Sequence, residues 1–241
     1  MVWRLIRKTV PNAKIALWRL KNPRLSFKHF YADRAAKALS DCKPHASLGP
    51  NTANDGEGTF NSLVRLGIQP QDAVVDYGCG TLRVGRFLIE YLDADLYIGM
   101  DIDMRILGVG RAALPPALLE TKRPKLELIS REALAEVAAR RPKWVFSKGV
   151  LQHVPPRDLD EYFKNLSCLI HSGATGWIKS RIGRKAKRLS PKTWVHSLDQ
   201  INGIVARHGM RFEKIGKKLS IYRLVALDTA IGRDSTAVER M

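Results

Sequence analysis

An apolar strand runs into an acidic, glycine-rich turn and then into a predicted helix at residues 74–83, VVDYGCGTLR. Gly78 and Gly80 lack side chains, so the chain can turn tightly there and a ligand can approach the backbone. Asp76 places a carboxylate beside this approach. A dinucleotide-binding turn has a third glycine where Arg83 stands, and usually no acid before the first glycine. The pattern therefore favours a cationic ligand over a pyrophosphate.

A second candidate carboxylate stands at the end of the next apolar run. Asp101 follows Leu96–Met100 and lies 21 residues after Gly80. An acid at this spacing from a glycine-rich turn can accept hydrogen bonds from the ribose hydroxyls of an adenosine. Hydrogen bonds to a charged group contribute about 1.5–3 kcal/mol each. The alternatives are that Asp101 only caps a helix and that the glycines only make a tight turn.

Short apolar strands alternate with helices from about residue 59 onward, as in βαβ units around a parallel sheet that is buried on both faces. Strands are predicted at 73–76, 96–100, 125–129, 144–147 and 174–180, and helices at about 59–67, 82–92, 103 onward, 131–140 and 156–170. Because Asp76 and Asp101 end the first two strands, both carboxylates are expected in a shared cleft beyond the carboxyl ends of the strands, where ligands bind.

The last predicted elements differ from the repeating units. Ser190 and Pro191 are favourable residues for the start of a helix, which would end at Gly209. Two strands, Arg211–Ile215 and Ser220–Leu227, are joined by a short turn. The predicted fold class is therefore α/β: a Rossmann-like doubly wound sheet, mostly parallel, with a C-terminal antiparallel hairpin and basic N-terminal helices.

The formal net charge of +18 exceeds what a fold requires and indicates an anionic partner. Residues 1–32 hold eight lysines and arginines and no acid, in a pattern typical of a basic amphipathic helix. This segment could contact an anionic membrane surface, serve as a targeting segment, or fold over the domain as a lid. Residues 181–192 hold six more basic residues and no acid. A solvated surface is the alternative explanation for either run.

The three cysteines are few and unevenly spaced, which indicates reduced thiols in the cytoplasm rather than a disulfide framework. No pair has the spacing of metal ligands, so no metal is predicted. No apolar run reaches the roughly 18 residues of a membrane-spanning helix. The predicted location is cytoplasmic, with peripheral contact at the inner face of the membrane left open.

Three segments resemble the class I methyltransferases that depend on S-adenosylmethionine (SAM). DYGCGTLR (76–83) is similar to the family's glycine-rich first motif, and MDID (100–103) to the acidic end of its second strand. FSKGVLQHVPP (146–156) is similar to the region after its fourth strand. The resemblance spans about 59–228 and implies SAM as cofactor, whose amino group and sulfonium suit the acidic turn. The run 78–103 also resembles bacterial members that act on small molecules or glycans.

The resemblance implies which residues contact SAM. Those expected to line its methionine part are Asp76, Gly78, Cys79 and Gly80. Asp101 would bind the ribose, and Ile102 would pack on the adenine. Ser130 or Arg131 would face the adenine amine, where the family more often has an acid. Cys79 is interpreted as a packing residue, because nothing in the sequence supplies a base for it.

The region after the fourth strand would lie near the transferable methyl group. The resemblance places Lys148 and Gly149 there, while Arg83 would reach the SAM carboxylate or pair across the helix start. His153 is the candidate general base, because its near-neutral pKa suits proton removal from a hydroxyl. The alternative is a structural histidine that holds the turn through its side-chain hydrogen bonds.

The expected reaction is in-line transfer of the methyl group to a hydroxyl or amine of a small-molecule or glycan acceptor. Arg181, Arg184 and Lys185 follow the fifth strand, at the expected mouth of the site, and favour an anionic acceptor. Tyr31 would reach the site if the N-terminal segment folds back, or else would be a packing aromatic. An RNA methyltransferase is one alternative function, because the chain is basic. The lack of an appended RNA-binding module favours a small-molecule or glycan acceptor over this alternative. A non-catalytic protein of this fold that binds membranes or nucleic acid is another.

The predicted organisation has three parts. Residues 1–58 form a basic helical extension or lid, 59–228 the SAM-dependent methyltransferase domain, and 229–241 a flexible polar tail.

Overall fold

A computed structural model describes residues 18, 20–21, 30, 33, 53–190, 192–215 and 220–227. The helices with defined bounds are α1 Ala53–Arg65, α2 Gly85–Tyr91, α3 Met104–Ala112, α4 Pro116–Lys122, α5 Arg131–Ala139, α6 Leu159–Ile170 and α7 Leu198–Arg207. The strands are β1 Val74–Tyr77, β2 Tyr97–Asp101, β3 Lys125–Leu128, β4 Trp144–Lys148, β5 Thr175–Lys179, β6 Ile182–Gly183, β7 Lys187–Ser190, β8 Thr193–Ser197, β9 Met210–Ile215 and β10 Ile221–Ala226. Two 3₁₀ turns, Leu151–His153 and Pro156–Asp158, follow β4.

The main sheet of the described chain has seven strands in the order β3-β2-β1-β4-β5-β10-β9. The first five strands in this order, β3-β2-β1-β4-β5, pair in parallel, whereas β10 runs antiparallel to both β5 and β9. The order reverses between β1 and β4, which leaves a crevice beyond the carboxyl ends of these strands. The predicted α/β class, with a mostly parallel sheet and an antiparallel C-terminal hairpin, is confirmed.

Helices cover both faces of the sheet because successive strand residues point to opposite sides. Val75 and Ile98 pack with the buried side chains of α5, α6 and α7. Their neighbours Val74 and Tyr97 pack on the other face with side chains of α1, α2 and α3. Burial of one large apolar side chain contributes about 1.5–3 kcal/mol, so the two layers hold the strand ends in a fixed arrangement.

Three helices begin at short polar side chains that satisfy a free backbone N–H group. Asp103 accepts from the N–H of Arg105 at 2.9 Å, and so caps α3. Ser130 and Ser197 cap α5 and α7 through equivalent bonds of 3.1 and 3.2 Å. Each such cap contributes about 1 kcal/mol. Two of these caps, Asp103 and Ser130, also fix loops that border the crevice.

The segment 181–197 forms a small sheet in the order β6-β8-β7, not the basic loop and helix start expected from the sequence. The predicted helix start at Ser190 is wrong, because Ser190 ends β7 and the helix begins at Leu198; Pro191 lies outside the described residues. Alternate residues of β8 are buried, namely Trp194 and His196, which is the pattern of a strand with one buried face. The extended conformation ends at Ser197, which caps α7.

Other differences concern element bounds and the two ends of the chain. Helix α4 has no counterpart among the predicted elements, and α1 begins before the predicted domain boundary at residue 58. Within the predicted N-terminal extension, Trp18 and Phe30 make an edge-to-face contact, and both pack against Trp194. The predicted tail, 229–241, lies outside the described residues.

Candidate functional site

A cavity of about 1080 Å³ lies beyond the carboxyl ends of β1, β2 and β4, where the strand order reverses. Asp76, Asp101 and Lys148, from the ends of these three strands, all line it. Further walls come from the loops after β1 to β4 and from α3, α5 and α6. The volume lies just above the usual range for ligand sites, about 300–1,000 Å³. Both strand-end carboxylates therefore face one cleft.

The Asp76 carboxyl is buried, with 3% of the residue exposed, and accepts a hydrogen bond from the Tyr97 hydroxyl at 3.0 Å. Burial raises its pKa to about 7, and the charge of Asp101 adds to this effect. The Tyr97 hydrogen bond and the Lys148 ammonium act in the opposite direction on the pKa of Asp76. A bound cation would also favour the charged carboxylate, because opposite charges stabilise each other at low dielectric.

Asp101 holds the glycine-rich turn as well as lining the cavity. One carboxylate oxygen accepts from the Gly80 N–H at 2.8 Å, and the other from the Ile102 N–H at 2.7 Å. Burial raises the pKa of Asp101 to about 6, although these two hydrogen bonds stabilise its charged form. The side chain is only partly covered, so it can also accept hydrogen bonds from a ligand.

The turn after β1 requires glycine at two positions. Gly78 and Gly80 have φ angles of +82° and +58°, in the left-handed region that disfavours other residues. A Cβ atom on Gly78 would lie 2.2 Å from Cγ2 of Val150, which follows β4. The glycines therefore let the β1 and β4 loops meet and leave their backbone open to the cavity.

Solved structures share this architecture. Magnesium protoporphyrin IX methyltransferase from Synechocystis PCC 6803 with bound SAM matches with a TM-score of 0.61 and 18% identity, over 85% of this chain and 99% of that chain. The same enzyme with bound SAH matches with a TM-score of 0.58 and 15% identity, over 83% and 97%. The glycopeptide N-methyltransferase MtfA matches with a TM-score of 0.50 and 11% identity, over 70% and 88%. The chain has the class I SAM-dependent methyltransferase fold. No protein-family model and no curated protein match the sequence.

Within the methyltransferase fold, the turn after β1 carries two further predicted contacts. Cys79 and Arg83 both line the cavity. Burial raises the pKa of the Cys79 thiol well above its usual value, with Asp76 and Asp101 adding to the effect. The thiol therefore stays protonated, which suits a packing role better than a nucleophilic one.

The residues predicted at the adenine end also line the cavity. Ile102 follows Asp101, and Ile106, Leu128 and Ser130 complete an apolar wall with one polar edge. The Ser130 hydroxyl accepts a hydrogen bond from the backbone of α5, so this oxygen is already engaged as a helix cap. Its hydroxyl proton can still be donated to a ligand, because a hydroxyl donates and accepts at once.

The loop after β4 brings Lys148, Gly149 and His153 to the cavity. Nδ1 of His153 lies 2.9 Å from the Lys192 carbonyl oxygen, and Nε2 lies 3.3 Å from the Gln152 side-chain nitrogen. A carbonyl only accepts and an amide NH₂ only donates, so the neutral tautomer carries its proton on Nδ1. Burial lowers the pKa of His153, which keeps this neutral form at physiological pH.

The predicted acceptor contacts are not brought together. Arg181, Arg184 and Lys185 are exposed and do not line the main cavity. Arg181 lies between β5 and β6, and Arg184 and Lys185 lie between β6 and β7. Tyr31 lies outside the described residues. An acceptor role for these four residues stays a prediction.

A wall of the cavity formed by α6 was not foreseen from the sequence. Glu161, Asn165 and Cys168 recur at intervals of four and three residues, so they lie along one face of the helix and line the cavity. Asn165 donates to the Tyr77 hydroxyl at 3.2 Å, which ties this face to the end of β1. The signal in the sequence was the polar stripe beside an otherwise apolar helix face.

Within the described chain, no group of three or more His, Cys, Asp or Glu side chains is arranged to hold a metal ion. None of the described helices is both long enough and apolar enough to cross a membrane.

Proposed function

We propose that this chain transfers the methyl group of SAM to a hydroxyl or amine of a small-molecule or glycan acceptor. The observation that carries the proposal is that Asp76 and Asp101, from adjacent parallel strands, line one cavity on either side of a glycine turn. An acid that favours a cation and an acid placed for ribose hydroxyls together match the chemical groups of SAM.

The site has the properties that a SAM-sized cation needs. The raised pKa of Asp76 reflects a buried carboxylate with too few partners to offset its burial. The buried Thr81 hydroxyl, which borders the same cavity, makes no hydrogen bond within the described chain. Polar groups of this kind are costly to bury unless a ligand satisfies them. These residues would bind the methionine and ribose groups of SAM.

When bound, SAM supplies an electrophilic methyl group on a sulfonium, which an oxygen or nitrogen nucleophile displaces in line. The residues of the chain would align the two partners and exclude water. Asp76, when ionised, stabilises a positive charge beside the end of β1. The ammonium group of Lys148 stabilises this ionised carboxylate. Gly78 and Gly80 line the cavity and carry no side chain that would keep a ligand from their backbone.

His153 is the residue that we propose as general base. Its Nδ1 proton is held by the Lys192 carbonyl, so the lone pair on Nε2 faces Gln152 at the cavity wall. An acceptor hydroxyl could replace Gln152 as the donor to Nε2 and then transfer its proton there. An amine acceptor would lose its proton by the same route.

The acceptor is proposed to be a polar, anionic small molecule or glycan. The α6 wall offers a mixture of hydrogen-bonding groups beyond the residues assigned to SAM, and the whole chain is strongly basic. The solved structures of this fold include a porphyrin methyltransferase and a glycopeptide N-methyltransferase, which supports an acceptor outside the nucleic acids.

Calorimetry with SAM tests the cofactor site directly. Asp101→Ala should weaken SAM binding at least tenfold, which corresponds to about 1.4 kcal/mol. The matched control is Asp199→Ala, an exposed aspartate in the first turn of α7, which should bind SAM as the native chain does. Absence of SAM binding by the native chain would overturn the proposal.

The acceptor class is tested by incubating the protein with labelled SAM and cell extract fractionated into small molecules, glycans, lipids and RNA. Label is expected in the small-molecule or glycan fraction. Label confined to RNA would instead establish the alternative RNA methyltransferase. No label in any fraction, with SAM binding intact, would favour a non-catalytic protein.

A further inference from the structure

Two histidines join the loop after β4 to the small sheet β6-β8-β7. Nε2 of His196, on the central strand β8, lies 3.1 Å from the carbonyl oxygen of Leu151. Nδ1 of His153 lies 2.9 Å from the carbonyl oxygen of Lys192, the residue before β8. A carbonyl oxygen only accepts, so both ring nitrogens donate. The side chain of each histidine therefore binds the backbone of the segment that carries the other.

The 3₁₀ turn Leu151–His153 has backbone hydrogen bonds of its own, but these are local. The His153 and Val154 N–H groups donate to the carbonyl oxygens of Val150 and Leu151, at 2.7 and 3.1 Å. Both bonds join near neighbours in the chain, so they do not fix where the turn lies relative to the cavity. The two histidine bonds span 39 and 45 residues, and so anchor the turn to a separate element.

Strand β8 is suited to hold this turn because it is the middle strand of its sheet. Ile182 of β6 pairs with His196 itself, and Lys187 of β7 pairs with Val195. The strand ends at Ser197, whose side chain caps α7. β8 is therefore held on both sides and at its end, which fixes the position of a donor that it carries.

The His196 side chain is buried and does not line the main cavity, so it can act on the site only through the turn. Burial lowers the pKa of His196, whereas the carbonyls of Leu151 and Val154 act in the opposite direction. The neutral ring carries its proton on Nε2, and within the described chain Nδ1 meets no donor. An unmatched buried nitrogen is costly. The bond to Leu151 is what the imidazole supplies and an apolar side chain would not.

We propose that His196 is a positioning residue that holds the His153 ring at the cavity wall for proton transfer. This proposal rests on the proposed methyl transfer, in which His153 accepts a proton from the acceptor. The bond to Lys192 directs Nε2 of His153 toward Gln152 at the cavity wall, and His196 keeps the turn against β8 so that this bond is maintained. A displacement of about 1 Å at a reacting group can cost about 10²-fold in rate.

The test uses variants that keep or remove the donor at Nε2 of His196. His196→Gln places an amide NH₂ group at the Nε2 position, whereas His196→Asn reaches only the Nδ1 position. His196→Phe keeps a planar ring but has no donor. His171→Phe is the matched control, because Nε2 of His171 lies 2.9 Å from the His208 carbonyl oxygen and the residue does not line the main cavity.

NMR titration of the full chain measures the pKa of His153 without an acceptor. Burial is the largest cause of its lowered pKa, so a loosened turn should let this pKa rise toward its ordinary value of 6.5 in His196→Phe and His196→Asn. The pKa should stay at its native value in His196→Gln and in His171→Phe. An unchanged pKa of His153 in both His196→Phe and His196→Asn would overturn the proposal, as would equal shifts in His196→Gln and His196→Asn.

Methyl transfer is then measured with labelled SAM and the extract fraction that the native chain labels. At saturating SAM the rate should fall at least tenfold in His196→Phe and His196→Asn, and less than threefold in His196→Gln. Calorimetry should show SAM affinity within twofold of native in every variant. Parallel losses of rate and SAM affinity would mean that His196 only supports folding, which contradicts a positioning role.

These measurements separate the two proposals. If His196→Phe does not fold, the comparison of His196→Gln with His196→Asn carries the same test, because both side chains are amides and differ in the position of the donor. Absence of SAM binding by the native chain would refute the proposed methyl transfer. Native rates and a native pKa of His153 in all three His196 variants, with SAM binding intact, would refute only the positioning role.

Discussion

Replacement of Asp76 by asparagine should make the ligand-free protein more stable while it weakens SAM binding. Burial raises the pKa of Asp76 to about 7 from an ordinary value of 3.8. The folded protein therefore holds a proton that the unfolded chain has released between these pH values, so Asp76 lowers stability progressively as pH rises from about 4 to 7. The difference of about three pH units corresponds to about 4 kcal/mol at 1.36 kcal/mol each.

Asparagine has nearly the same shape as a protonated aspartate and can still accept the Tyr97 hydrogen bond, but it never becomes charged. The stability of Asp76→Asn relative to the native chain should therefore increase by about 2–3 kcal/mol between pH 5 and pH 8. Because the comparison is between two pH values, any constant packing difference between the two side chains cancels.

Urea unfolding at pH 5 and pH 8, followed by tryptophan fluorescence, measures this change. Asp199→Asn is the control, since its carboxylate is exposed and its effect on stability should be nearly the same at both pH values. At pH 8, SAM should stabilise the native chain and have a much smaller effect on Asp76→Asn. If the stability difference between Asp76→Asn and the native chain did not change with pH, or if Asp76→Asn bound SAM normally, Asp76 would not be a buried carboxylate that binds the cationic part of SAM.

Three further variants probe the same site. Tyr97→Phe removes a hydrogen bond to the charged form of Asp76, so the pKa of Asp76 should rise. The pH midpoint of SAM binding, measured by calorimetry from pH 6 to 9, should therefore move above 7. Gly78→Ala should abolish SAM binding, because its Cβ would meet Val150 and the residue would keep an unfavourable φ of +82°. His153→Gln should lower kcat by about 10²–10⁴ while SAM affinity stays within twofold, as measured by methyl transfer and calorimetry.

Each of these has an outcome that contradicts it. An unmoved pH midpoint in Tyr97→Phe would show that the phenol does not influence Asp76. Normal SAM affinity in Gly78→Ala would mean that the turn can relax without loss of the site. Equal losses of kcat and SAM affinity in His153→Gln would indicate that the histidine supports the loop through Lys192 rather than accepting a proton.

The carboxylates and glycines of the site were predictable because each follows directly from local sequence. Parallel strands place their last side chains at the same edge of the sheet, so Asp76 and Asp101 were expected at that edge once both strands were identified, and the pairing of β1 with β2 makes them neighbours. The left-handed turn at Gly78 and Gly80 is also local, since both positions have positive φ angles that favour glycine, although the close approach of Val150 to Gly78 is a tertiary contact.

The acceptor side was not predictable in the same way. Residues 181–192 contain many basic side chains, and a count of charge cannot tell a loop from the short strands β6 and β7. Trp194 of β8 is buried against Phe30, a contact between residues more than 160 positions apart in the chain. Such a contact leaves no periodic signal near Ser190, where favourable helix-start residues gave a wrong prediction.

Local chemistry by itself determined the α/β class and the acidic glycine-rich turn, because strand periodicity and backbone freedom are properties of neighbouring residues. Only the tertiary structure decided the protonation of Asp76, which depends on burial beside Tyr97 from the next strand. It also decided which arginines border a cavity, because Arg157 and Arg188, from the turn after β4 and from β7, line the same small cavity. Electrostatics and burial act through space, so these features depend on how distant segments pack together.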